Sequence, residues 1–389
     1  MRRLLAIATA TALAAPAAVL AQSSSGDEGP ELYGWVNVAL NSVDYGNSGN
    51  YQNPDGPNDQ GAYGASNGGD LTLTNNTSAI GVRGAEQLNP GLKAVYQWEA
   101  GVYWNQHDGD RGLTNLQRDS FIGLEGRYGR LVAGRLPLSN QHAQKSNLFK
   151  HQLGTVAEFM AFAGADLTDK PLIPSRISNA LRYSVPLTDT LQASLTYSPE
   201  GNDDSDQVSK DREEAGAGGQ LLYKDGAYTA RLTVFEDALI GADEPLVAVN
   251  GSWDYGGGKL LGEHAQIDDT TATTLGATYR LASGELKAQA VVTSDYSNDS
   301  RNDQDGQLDI DDPSMYVLGY DHFLSQKTKL YAIAAFGQDG ATITGYGYDS
   351  SEGSGDKKDA TLGEYRPRTA GGIDQEDSTG LAVGIRHVF

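Results

Sequence analysis

The 389-residue chain contains no cysteine. That removes disulfides, thiolate nucleophiles and cysteine metal sites. Long apolar runs are equally scarce. Beyond the N-terminal stretch Leu4 to Leu20, nothing approaches the ~20 apolar residues that a membrane helix requires. A helical membrane protein is excluded, whereas a membrane β-barrel is not, because its strands need only ~10 residues with alternate ones apolar. Basic residues are outnumbered, 29 Lys and Arg against 51 Asp and Glu, for a net charge of −22. Nucleic acid is therefore disfavoured as a partner. The six histidines (His107, His142, His151, His264, His322, His387) show no metal-ligand spacing. The carboxylates are too numerous for one acid–base pair to stand out, and nothing reads as a nucleotide site. No metal, no cofactor and no enzymatic activity are expected.

What is present is 48 glycines, 20 tyrosines and an alternating pattern. Residues 1–21 read as a cleaved secretory signal peptide, with Arg2 and Arg3 as the positive start and Val19-Leu20-Ala21 as a fitting cleavage site. The mature domain is then 22–389. Side chains alternate across a strand with period two. In the last strand Leu381, Val383, Ile385, His387 and Phe389 share one face, and Ala382, Gly384, Arg386 and Val388 the other. Near the start, Leu32, Gly34, Val36, Val38 and Leu40 oppose Tyr33, Trp35, Asn37 and Ala39. A chain that stops in mid-strand on Phe389 gains little unless that strand is paired, as it is in a closed barrel.

Sixteen strand-like segments follow from the alternation. They lie near 31–43, 71–86, 91–104, 118–127, 130–136, 176–185, 190–199, 214–224, 227–236, 246–255, 258–267, 271–281, 285–297, 314–323, 328–338 and 379–389. Tight turns (87–90, 128–129, 186–189, 225–226, 256–257, 282–284, 324–327) alternate with long segments (44–70, 105–117, 137–175, 200–213, 237–245, 298–313, 339–378). One long connection is missing, at 267–270. Short turns on one rim and long loops on the other are what an up-and-down transmembrane barrel produces. Arg176, Ser178 and Arg182 share a face opposite Ile177, Leu181 and Tyr183. An Arg on the lipid side at mid-membrane costs ~2–4 kcal/mol, so the polar face lines a wet interior. Tyr183, Tyr197, Tyr223, Tyr255, Tyr279 and Tyr296 end strands and suit interfacial girdles.

The segment 136–175 differs from the other loops. A mildly helical stretch, 139–162, carries Leu148, Phe149, Leu153, Val156, Phe159 and Met160, which need a wall to bury against. The interior is that wall, so this third long loop is expected to fold into the lumen and narrow it. The expected fold is all-β: a sixteen-stranded antiparallel up-and-down barrel with an inward third loop.

Four stretches in order resemble the general trimeric porins of Gram-negative outer membranes: TSAIGVRGAEQLNPGLKAVYQWEAG (77–101), RDSFIGLEGRYGRLVAGR (118–135), SRISNALRYSVP (175–186) and GLAVGIRHVF (380–389). The resemblance implies a water-filled channel for passive diffusion of small hydrophilic solutes and ions. It also implies a homotrimer set in outer-membrane lipid, and a terminal strand ending in Phe389 that the barrel-assembly machinery reads. By position it implies pore charges at Arg118 and Arg176 on the wall and at Glu158, in AEFMAFAG, on the inserted loop. Arg182 shares the face of Arg176, and Arg83 stands where the family carries Lys or Arg. Ala79 stands where the family commonly carries Arg, so a weaker basic cluster is expected. A different reading is that these arginines only pair with neighbouring wall carboxylates.

Two other functions are weighed. A barrel enzyme of the lipase or protease type needs a catalytic Ser/His or Asp/His set near a rim. A plugged binding or adhesion barrel needs long loops that hold a ligand tightly. Gly64-Ala65-Ser66-Asn67-Gly68 matches G-x-S-x-G but lacks the strand and helix of a nucleophile elbow. The run Asp303 to Asp312 has calcium-loop chemistry, yet Arg301 occupies the first-ligand position and no Glu closes it. It reads as a solvated acidic loop.

Overall fold

The computed structural model describes residues 29–44, 71–102, 114–115, 118–138, 143–160, 173, 175–199, 215–240, 244–294, 312–338, 343 and 377–389. Sixteen strands span the wall, each antiparallel to the next. They are β1 (Glu31–Asp44), β2 (Thr72–Asn75 and Ala79–Asn89), β3 (Leu92–Val102), β4 (Thr114–Asn115 and Ser120–Gly126), β5 (Gly129–Pro137), β6 (Arg176–Pro186), β7 (Leu191–Ser198) and β8 (Gly216–Asp225). Then come β9 (Tyr228–Phe235), β10 (Leu246–Asp254), β11 (Gly258–Ile267), β12 (Thr270–Leu281), β13 (Gly284–Ser294), β14 (Ser314–Phe323), β15 (Thr328–Gln338) and β16 (Ser378–Val388). Among the described residues, two short helices interrupt the connections, α1 (Ala157–Met160) and α2 (Asp237–Ile240).

The barrel closes where β16 pairs with β1, in a register running from Trp35 opposite Val388 to Asp44 opposite Thr379. Phe389 completes the seam. Its N–H donates to the Gly34 carbonyl at 3.1 Å. Its ring lies against Gly34, where an added Cβ would sit 2.6 Å from the ring tip. A larger residue at 34 would push the terminal ring off the seam.

Alternation sets the two surfaces. Leu381 (62% exposed), Val383 (56%) and Leu32 (60%) point outward, while Ala382, Ala39 and Asn37 are buried. The outward set meets hydrocarbon in a membrane. The inward set carries the polar side chains, among them Glu99, Gln289 and Asp321. Aromatic residues gather at the strand ends. Tyr228 stacks on Trp253 (6.3 Å, 7°), which meets Tyr255 edge-on (5.9 Å) near the turn rim. The expected Tyr296 lies outside the described residues.

The structure departs from the simple pattern at four places. β2 is broken at Asn76–Ser78, where Thr77 takes φ 55°. β4 gains an early piece, Thr114–Asn115, paired to Gly101 and Val102. β6 carries a bulge against β5, with Asn179 at φ 49°. The bulge adds a residue and breaks the period-two count. Ile177 is therefore covered, 1% exposed, instead of facing outward with Leu181. Among the described residues of the third loop, regular helix is confined to Ala157–Met160, preceded by turns and bends. The absent long connection at 267–270 is a two-residue turn, with Asp268 at φ 53°. The calcium-like run 303–311, the G-x-S-x-G segment 64–68 and residues 1–21 lie outside the described residues.

A charge on the outer face at mid-strand tests this sidedness. Val383→Arg is expected to destabilise the barrel by ~2–4 kcal/mol in denaturant-dependent folding into lipid vesicles. An unchanged midpoint would mean that Val383 does not face hydrocarbon.

Candidate functional site

The interior is shaped by the connection that follows β5. Leu138, Phe149, Leu153, Val156 and Met160 are each 0% exposed. They pack against inward wall residues in one continuous apolar cluster that includes Val291, Met315, Val317 and Ala335. The loop thus crosses the lumen and buries its apolar side on the β13–β15 wall. Gly154 sits where φ is +71° and a Cβ would stand 3.0 Å from that of Ala335, so glycine permits the close approach.

Polar contacts then fix the loop in place. Lys287 on β13 donates from Nζ to the Leu148 carbonyl (3.2 Å) and to Gln152 Oε1 (3.2 Å). The same ammonium lies 4.6 Å from the Phe149 ring centroid. It pairs with Asp321 Oδ1 at 3.1 Å, and Lys329 pairs with Asp321 Oδ2 at 2.6 Å. Gln289 accepts from Leu148 N–H (2.9 Å) and donates to the Ser146 carbonyl. Asn37 on β1 donates to the His151 carbonyl at 2.7 Å. Arg182 clamps the root of the loop, donating to the Pro137 carbonyl (2.7 Å) and to Thr196 Oγ1 (2.8 Å).

Charged side chains line the remaining space. Arg118 Nε donates to Glu99 Oε1 at 2.5 Å, and Tyr33 donates to Glu99 Oε2 at 3.0 Å. Arg176 Nε donates to Asp119 Oδ1 at 2.5 Å. Arg118 and Arg386 lie 5.4 Å and 5.8 Å from the centroid of the Trp35 ring. The loop presents Lys145 and Lys150, both exposed to the lumen. Among the described residues neither these lysines nor Arg386 makes an ion pair with a carboxylate. Burial first, then the positive charges of Lys150, Arg118, Arg386 and Arg176, holds the His151 imidazole well below its usual range. Enclosure in the barrel, with repulsion from Lys145 and Arg118, lowers the Lys150 ammonium to about 8.

Arg118, Arg176 and Arg182 are thus brought to the lumen beside the inserted loop. The first two do pair with wall carboxylates, and Arg182 is a buried structural clamp. Arg83 stands apart, exposed toward the turn rim and paired with Glu31 at 2.9 Å. Glu158 belongs to α1, and its side chain lies outside the described residues. Lys145, Lys150, Arg386, Glu99, Asp119 and Lys287 had not been singled out. Alternation already put Arg386 on the face opposite Leu381, Val383 and Ile385. The loop lysines carry no periodic signal, because an irregular loop has none.

A family model described as Gram-negative porin matches residues 8–342. The chain belongs to this family. Outer membrane porin protein 32 of Delftia acidovorans is 28% identical over 97% of each chain. Among solved structures, an anion-selective porin from Comamonas acidovorans aligns over 93% of this chain and all of its own, at a TM-score of 0.65 and 22% identity. A trimer form of OmpT from Vibrio cholerae aligns over 94% and 100%, at a TM-score of 0.54 and 13% identity. At such identities the solved structures speak for the fold. This porin is an outer-membrane barrel that forms a channel for small hydrophilic solutes.

Lys287 tests whether the loop is held from the wall. Lys287→Met keeps the stem on Phe149, and Asp321 retains Lys329, so no buried carboxylate is stranded. Losing the charge-assisted bonds weakens loop docking by about 2 kcal/mol. Single-channel recordings are expected to show greater open-channel noise and closure at lower voltage. Traces identical to wild type would rule out a latch.

Proposed function

We propose that this porin favours anions, with Arg118, Arg176, Arg386, Lys145 and Lys150 as the charges that set the preference. The observation that supports the reading is an imbalance beside the inserted loop. The carboxylates described there, Glu99, Asp119 and Asp321, are each engaged by a cation. The two lysines and Arg386 remain to face the solute. Fixed charges lining a narrow, hydrated pore screen ions by sign. Arg182 and Arg83 support the loop root and the turn-side rim, and Glu158 is kept as a candidate loop charge. The relatives are channels, which supports a reading without enzymatic activity.

The reversal potential in a potassium chloride gradient measures the preference. Wild type is expected to pass chloride over potassium. A unit charge ~7 Å away in water contributes about 0.6 kcal/mol to each ion, with opposite sign for chloride and potassium, so Arg176→Ala or Lys150→Gln should each lower the ratio roughly sevenfold. Lys150 is cationic below its lowered pKa and neutral above it. The ratio should therefore fall as pH rises through about 8, and Lys150→Gln should abolish that step. A ratio below one in wild type, or one indifferent to both substitutions, would end this assignment.

We further infer export with cleavage after Ala21, assembly through the β16 terminus and a homotrimer in outer-membrane lipid. The seam contact of Phe389 with Gly34 supports the second point, and the trimer form of the Vibrio protein supports the third. Native gels with intact-mass analysis read all three. The expected band holds three copies, each beginning at Gln22, and Phe389→Ala reduces its yield from cells. A monomeric band, a retained N-terminus or an unaffected yield would each remove the corresponding point.

A further inference from the structure

We propose that Trp35, Arg386 and Arg118 form a seat for aromatic carboxylates in the constriction. The proposal rests on the anion-favouring reading above and names a class of solute for it.

Trp35 lies on the inward face of β1 and is half-buried, so part of the indole borders the lumen. Its ring cannot swing freely, because Nε1 donates to the Thr77 carbonyl at 2.7 Å. That carbonyl sits at the break in β2, where Thr77 adopts φ 55°. The His151 ring of the loop stacks on the indole at 6.3 Å and 15°. The His151 carbonyl is in turn held by Asn37, two residues from Trp35 on the same face. Wall and loop therefore fix the indole from two sides.

The two guanidinium groups beside the indole are not equivalent. Arg118 is engaged by Glu99 at 2.5 Å. Arg386 has no carboxylate among the described residues, and its Nε is buried without a hydrogen-bond partner there. Buried donors are ordinarily satisfied, by protein, water or a bound group. The guanidinium carbon of Arg386 stands 5.8 Å from the centre of the Trp35 ring. An anion with a planar ring suits both at once: its carboxylate accepts from Arg386 while its ring lies along the indole. Chloride can use only the charge. An aliphatic carboxylate can use the charge and the donor. The ring contact is worth roughly threefold to tenfold in affinity, enough to select and weak enough to release.

Planar-bilayer recordings with the whole porin test the proposal. Sodium benzoate is titrated onto the chloride current, with acetate and cyclohexanecarboxylate as controls. Benzoate is expected to reduce the current at concentrations roughly threefold to tenfold below either control. Trp35→Leu should erase that advantage and leave the chloride-to-potassium ratio within a factor of two. Trp35→Phe should keep part of it, and Arg386→Gln should weaken all three carboxylates and lower the ratio. The proposal is overturned if wild type treats benzoate and cyclohexanecarboxylate alike, or if Trp35→Leu keeps the benzoate advantage. The wild-type comparison decides the matter even if the leucine variant does not assemble. A wild-type ratio below one refutes anion preference itself, an outcome distinct from equal carboxylate block.

Discussion

Hydrocarbon offers a backbone no hydrogen-bonding partner, and that constraint governs this molecule. Each unsatisfied peptide group inside the bilayer costs several kcal/mol. A sheet with two open edges cannot meet that demand, and a closed one can. The pairing of β16 with β1, ten residues in register, is therefore the contact on which the rest depends. It explains why the last residue packs on the first strand. It also explains why the outer wall can be greasy at alternate positions while the sequence as a whole is polar.

Closure creates an interior, and the interior has to be managed. A barrel of sixteen strands is too wide for side chains to fill. The third loop supplies what the wall cannot. Its apolar residues bury on β13–β15, and its polar backbone is held by Lys287, Gln289 and Asn37. The buried group Lys287–Asp321–Lys329 carries two cations for one carboxylate. Such a group does little for stability in itself, since desolvation offsets most of the attraction. Its use here is positional. Lys287 turns its remaining donors to loop oxygens, so those donors find these partners only when the loop is docked.

The alternation made the wall legible from the residues alone, because lipid and water impose opposite demands at a spacing of two. All sixteen strands were legible, most of them to within a few residues, and so was the inward loop. What escaped were local breaks in the rule. The bulge in β6 covers Ile177, and no residue type near Asn179 announces it. The gap in β2 at Thr77 depends on Trp35 and Ser78 meeting the exposed backbone groups, contacts between strands that a local pattern cannot register. Among the described residues, the loop's mild helical periodicity yields one turn of helix. Its burial comes from contact with the wall, which overrides weak local preference. Arg386 was legible as inward but not as unpaired. Pairing is a property of neighbours brought together from β1, β15 and β16.

On the anion-favouring proposal, the overall charge and the charge of the constriction have opposite signs, and both can hold. Net charge of −22 describes the whole chain. A permeating ion responds to charges within about a Debye length, ~8 Å at physiological salt. Charges beyond that distance are largely screened, while those lining a narrow passage between low-dielectric walls are screened less. On that proposal, the sign that matters is set by a handful of side chains around Trp35. Composition therefore fails as a guide to selectivity in this fold: it averages over surfaces that a solute in transit never approaches closely enough to sense.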